Sequence, residues 1–375
     1  RKCWQSFSVP FAFLALLSAW KVLATIGNGA PLVYALDDVL FSVGVMFFFF
    51  TLSTRVLLAD VLRALTLAGL ITIGLVFVEF MLGRPLHYAF VNSALFEEDA
   101  LVGRVRDGVY RVQGIFDNPL SLAEFFVYLM PVILYRFSSA RGQYRALLAV
   151  GLAALFVALW LTGSRGGVLV ALLVCSVYWL MSYWRFFSGY TKAFSVFLIV
   201  VLLVHVTYFA VGFIYEKGLV AQSVSFYRLD DVDKSTYSRA LQYFEVFSVL
   251  RDNPLFGLGV QQNFAKEFEE IRRIDNYYLR VGLEAGVVGV LLFVGFIVSL
   301  YLSIRGAGSR YNSPDAHAFR AMAIALVVGF SGIKLFLSMP TNNIYFFAIM
   351  GLVTGYYARL RKTEVVERYA NPSCS

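Results

Sequence analysis

Charge is scarce in this sequence. Only 15% of its 375 residues are Asp, Glu, Lys or Arg, where a soluble domain carries about 25%. Hydrophobic residues make up 59%. That balance excludes an ordinary soluble globular fold and points to an integral membrane protein. The apolar runs are long and continuous, so the spans are helical; a membrane barrel would alternate over segments of about ten residues. Cysteine is rare too. Cys3, Cys175 and Cys374 are far apart and fit neither metal-ligand spacing nor a disulfide framework, and Cys175 sits inside an apolar run. No metal and no cofactor is expected. Histidine occurs only at His87, His205 and His317. The sequence shows no internal repeat, heptad or low-complexity tract, and no small-residue cleavage site. It opens RKCWQSFSVP without a Met, which fits a trimmed or processed N-terminus.

What is present is a series of spans. The ~20-residue length rule puts them at about 8–23, 39–52 (or starting earlier), 64–82, 119–135, 146–163, 167–184, 193–213, 283–304, 320–338 and 343–358. The expected fold is an all-α polytopic membrane protein of about ten helices, or 10–12 if the N-terminus is trimmed. Residues 1–213 hold spans one to seven and an outer loop at 83–118. Residues 214–282 form a large, mostly helical loop carrying site residues, and 283–375 hold the last three spans and a basic tail. Lys21 and the pair Asp37–Asp38 interrupt the first two spans and weaken both.

The connections alternate in character. One set is short and basic and holds sixteen Lys and Arg, so its ends and both termini should be cytoplasmic. The opposite set holds tiny turns around Arg165 and Pro340, a loop at 24–38, and the long segments 83–118 and 214–282. Long segments cross a membrane largely regardless of charge. Even so, thirteen basic residues on this side are more than topology needs. With a net charge of +8, the first suspects are the positive-inside bias and an anionic ligand, rather than nucleic acid.

Three stretches could carry chemistry. In LTGSRGGVLVALL, Arg165 lies in a tight hairpin before a helix, and a cation beside a helix N-terminus suits a phosphate or pyrophosphate. An arginine snorkelling to lipid headgroups reads the same way. In YSRALQYFEVF, Arg239 falls in the first turn of a loop helix, where a solvated arginine or a salt bridge to Asp231, Asp233 or Glu245 is the plain alternative. In IRRIDNYYLRVGLEAG, Asp275 and Asn276 precede a span whose Gly282, Gly286 and Gly289 allow close helix packing. Asp275 reads as a helix cap, or as a general base or a positioner of a sugar hydroxyl. The acidic LDDVD at 229–233 lacks the loop pattern of an EF-hand and reads as a solvated turn.

The order GIFDNPLSLAEFFVYLMP, LTGSRGGVLV, YSRALQYFEVFSVLRDNPLFGLGV, DNYYLRVGLEAGVVGV resembles the O-antigen ligase and polymerase superfamily of bacterial envelope glycosyltransferases over about 105–300. The resemblance implies a C-type, metal-independent glycosyltransferase that takes a glycan from an undecaprenyl-diphosphate carrier to an acceptor hydroxyl. Its site would face the periplasm, in the bacterial inner membrane. It implies that Arg165 and Arg239 grip the diphosphate. Its pattern has a histidine eleven positions before a glycine. Counting back from Gly286 puts Asp275 there, with Asn276 next, and this departure favours a polymerase of O-antigen or exopolysaccharide units over a ligase. The acid–base step then falls to Asp275, with inversion at the anomeric carbon. Arg111, Arg251, Arg272, Arg273, Arg280 and Lys334 are supporting candidates, Lys334 as a snorkelling cation near the outer end of its span. The expected partners are the lipid-linked oligosaccharide, an acceptor glycan or glycolipid, membrane lipids, and a chain-length regulator or export partner. A transporter or flippase of lipid-linked sugars is the rival from another class.

Overall fold

The computed structural model describes residues 7–53, 55–86, 105–106, 109–183, 242–243, 245–261, 274–308 and 313–370. The protein is an all-α, multi-pass membrane protein. Its helices are α1 (Ser8–Gly27), α2 (Leu32–Val39), a π-helical turn (Leu40–Gly44), α3 (Val45–Ser53), α4 (Leu58–Leu82), α5 (Pro119–Ser139), α6 (Gly142–Leu161), α7 (Arg165–Tyr183), α8 (Tyr277–Gly308), α9 (Pro314–Ile333) and α10 (Asn343–Ala370). A two-residue antiparallel ladder joins β1 (Val105–Arg106) to β2 (Val109–Tyr110). Among the described residues, eight stretches are long and apolar enough to cross a membrane, with α2, the π-turn and α3 counted as one. The expected span 343–358 falls within α10, and the expected span 193–213 lies outside the described residues.

Local sequence explains where the helices start. Asn118 caps α5 by accepting from the Ser121 N–H, with Pro119 at the first helical position. Ser313 and Pro314 repeat the device on α9. Ser164 Oγ accepts from the Gly167 N–H at the start of α7. Gly83, at φ +61°, ends α4 in the left-handed conformation.

Helices α5 and α9 are the most enclosed spans, and α5 packs on α4, α6, α7 and α9. α10 lies along α3 so closely that a Cβ at Gly351 or Gly355 would overlap the α3 backbone. The outward surface is studded with Leu16, Leu23, Phe47, Phe48, Ile71, Leu172 and Leu291, as expected where lipid is the solvent.

The bundle has two ends. At one, Tyr135 and Ser139 donate to Asp315. At the other lie the 162–165 turn, the 110–118 segment, the N-terminus of α8 and the 334–342 connection. Glu79, fully buried, fastens this second end: it accepts from Tyr110 OH at 2.6 Å, the Gln113 N–H at 2.9 Å and the Gly114 N–H at 2.7 Å.

Two sequence expectations need correction. Lys21 does not break its span; α1 runs through it to Gly27, because the lysine is buried and paired with Asp38 and Glu284. Gly286 does not serve helix packing. It takes φ +66° and breaks α8 into two pieces, and a Cβ there would overlap the Leu255 carbonyl. The segment 254–258 fills the break. The Val287 N–H donates to Pro254 O at 2.8 Å, and the Leu258 N–H to Leu283 O at 2.6 Å. Trp20 adds to the joint by donating to Ala285 O at 2.9 Å and stacking on Phe256.

Candidate active site

The end fastened by Glu79 gathers most of the described candidates. Arg165 is the first residue of α7 and is exposed. Arg111 lies across the preceding turn: its Nε donates to Thr162 O at 2.7 Å, and its side chain covers Gly163, where a Cβ would meet Nε at 2.9 Å. The two arginines thus flank one short turn at a helix N-terminus, whose first N–H groups have no intrahelical acceptors. The 334–342 connection packs on the same turn, since a Cβ at Gly166 would meet Phe336 at 2.8 Å. It also reaches Asn118 through Met339.

On its other side, the same connection borders a cavity of about 350 Å³. Tyr34, Asp37, Asp38, Gln261, Tyr277, Arg280, Glu284, Thr341 and Asn343 are among its lining residues. Arg280 donates from Nε to Glu284 Oε1 at 2.7 Å and from a terminal nitrogen to Gln261 O at 3.2 Å. Lys21 bridges Glu284 at 2.8 Å and Asp38 at 3.1 Å. The first half of α8 therefore presents Arg280 from a braced position.

Lys334 overturns its sequence reading. It does not snorkel, because it ends α9 fully buried and ion-paired with Glu124. Glu124 also accepts from Tyr128 and from Asn342 Nδ2. The Lys334 ammonium stands 4.8 Å from the Tyr277 ring centroid, and the Lys21 ammonium 5.9 Å from it. Tyr277 thus joins the two charge networks.

Asn276, not Asp275, caps α8. Its Oδ1 accepts from the N–H groups of Tyr278 at 2.9 Å and Leu279 at 3.2 Å, and its Nδ2 donates to Tyr243 OH. Asp275 is half-buried, with its own N–H bound to Gln242 Oε1 at 2.9 Å. Arg251 is exposed. Arg239, Arg272 and Arg273 lie outside the described residues, as does most of the loop expected over 214–282.

Sequence reasoning missed Lys21, Asp38, Glu124, Gln242, Glu284 and Asn343 as members of this region. Their one available signal was charge or amide inside or beside an apolar run, where a polar group needs a partner.

Comparison with known proteins bears on this arrangement. Residues 150–294 match the family model described as O-Antigen ligase. A protein of Salmonella muenchen named O-antigen polymerase is 24% identical over 283 residues. That match covers 73% of this chain and 66% of the relative, just under two thirds of its length. In sequence the chain is thus similar to proteins of the O-antigen ligase and polymerase kind.

Proposed function

We propose that the protein is a glycosyltransferase that lengthens O-antigen or exopolysaccharide chains at the periplasmic face of the bacterial inner membrane. Its donor is a glycan on undecaprenyl diphosphate and its acceptor a sugar hydroxyl. The observation that carries this reading is the pairing of Arg165 and Arg111 on one turn at the start of α7, with a cavity that has charged side chains in its wall on the other side of the 334–342 connection. Guanidinium groups stay charged and bind phosphate oxygens in a two-pronged way. They stabilise the diphosphate as the anomeric C–O bond breaks and its electron pair leaves with the carrier. The acceptor oxygen forms the new C–O bond, and its proton passes to Asp275. Arg239, Arg272 and Arg273 extend the cationic set from the large loop 214–282, while Arg280 faces the glycan.

Arg165→Ala is expected to lower chain extension by on the order of 10²–10³, with the variant still reaching the membrane. Normal chain lengths in that variant would remove the mechanism. A ligase reading draws on the description of the matching family model. The glycan of a deletion strain separates the two: single repeat units mean a polymerase, and long unattached chains mean a ligase. A transporter reading draws on the broken α8. Against it, the backbone groups freed at the break are held by residues 254–258 rather than offered to a ligand. Extension of glycan by purified protein in detergent, with no sealed bilayer, is the outcome expected of the enzyme.

A further inference from the structure

The cavity beside α8 has a lining unlike the Arg165 turn. Three lining carboxylates, Asp37, Asp38 and Glu284, meet one lining cation, Arg280, and the buried Lys21 that pairs with two of them. Asp38 and Glu284 are already paired with those cations. Asp37 is exposed on the wall, and no partner for it is found among the described residues. One negative charge is therefore in excess, which disfavours a phosphate here and leaves a strong hydroxyl acceptor. A second acceptor is unused. Asn343 is 3% exposed and its Nδ2 donates to Tyr277 OH at 3.0 Å, but among the described residues its Oδ1 accepts no hydrogen bond. A buried acceptor left without a donor is costly, and a ligand hydroxyl would satisfy it. Thr341 and Gln261 add further polar groups, and Tyr34 and Phe41 add aromatic surface for the C–H face of a ring. A volume of about 350 Å³ lies at the small end of the range for small-molecule sites.

From these features we infer that the cavity is a subsite for an uncharged sugar ring, with Asp37 and Asn343 as its hydroxyl acceptors, distinct from the cationic turn at Arg165. The inference rests on the glycosyltransferase reading for the source of the sugar but not for the binding itself. The sugar can belong to the incoming donor unit or to the acceptor chain.

The test uses full-length protein in nanodiscs and single repeat units cut from the organism's own polysaccharide, carrying no phosphate. Titration should show binding to the wild-type protein. Asp37→Asn and Asn343→Leu should each weaken it on the order of tenfold to a hundredfold, while inorganic pyrophosphate binding stays unchanged. Asp37 is exposed, so its variant should fold normally even if Asn343→Leu does not. In extension assays, a raised KM of Asp37→Asn for the phosphate-free unit assigns the cavity to the acceptor, and a raised KM for the lipid-linked unit assigns it to the donor. Absent binding of the phosphate-free unit, or equal binding by wild type and Asp37→Asn, would overturn the subsite. Neither of those results bears on the Arg165 test, whose readout is chain extension.

Discussion

Glu124 and Lys334 carry opposite charges in a fully buried place. Removing one partner strands the other charge away from water, at a cost of about 3–5 kcal/mol. Lys334→Met is therefore expected to lower the detergent melting temperature sharply. Adding Glu124→Gln should restore most of the loss, a rescue that a purely steric role for Lys334 would not show. Asp275 and Asn276 separate in the same manner. Asn276→Ala removes a helix cap and should lower stability by about 1 kcal/mol, read by thermal unfolding. Asp275→Asn should leave the melting temperature near wild type and cut turnover strongly. Near-full turnover would end its role as a base. From the sequence, Asp275 reads equally as cap or base; the structure assigns the cap to Asn276, because the choice turns on which side-chain oxygen meets the N–H groups of Tyr278 and Leu279.

Helix α8 has a break where its sequence suggests smooth packing. Gly286→Ala must place a Cβ on a left-handed residue and against the Leu255 carbonyl, and the backbone strain alone costs about 1–3 kcal/mol. Folded yield should fall steeply. Gly306→Ala is the control: that glycine lies in the same helix with nothing near its missing Cβ, so its melting temperature should match wild type. Glycine spacing alone does not reveal the difference. Gly282, Gly286 and Gly289 look alike in sequence, and only the arrival of residues 254–258 from elsewhere makes one of them a joint. The start of α5, by contrast, is a local matter: the Asn118 cap and the first-turn Pro119 act within a few residues of chain.

Across the bundle, the positive-inside reading assigns the Asp315 end to the cytoplasm and the Arg165 end to the outside. Single cysteines test this in a background with Cys3, Cys175 and Cys374 replaced. Ile115→Cys, exposed at the Arg165 end, should react with a membrane-impermeant maleimide in intact spheroplasts. Gln143→Cys, near the start of α6 at the Asp315 end, should react only after permeabilisation. The opposite pattern would invert the topology. Most of the spans were readable because length and apolarity are local properties. The cavity was not, because its wall is assembled from positions such as 37, 261, 280 and 343. Lys21 and Glu284 read as isolated charges until folding brings them together across the length of the chain.

The segment that fills the α8 break bears on how the protein can be built and rebuilt. The amide of Val287 and the carbonyl of Leu283 find their partners in chain made earlier, at Pro254 and Leu258. During synthesis that stretch must wait until α8 has inserted and bent before it can lock in. A chimera that exchanges the large loop for a relative's must therefore keep residues 254–258 and Trp20 together with α8, or the main-chain groups at the break lose their partners.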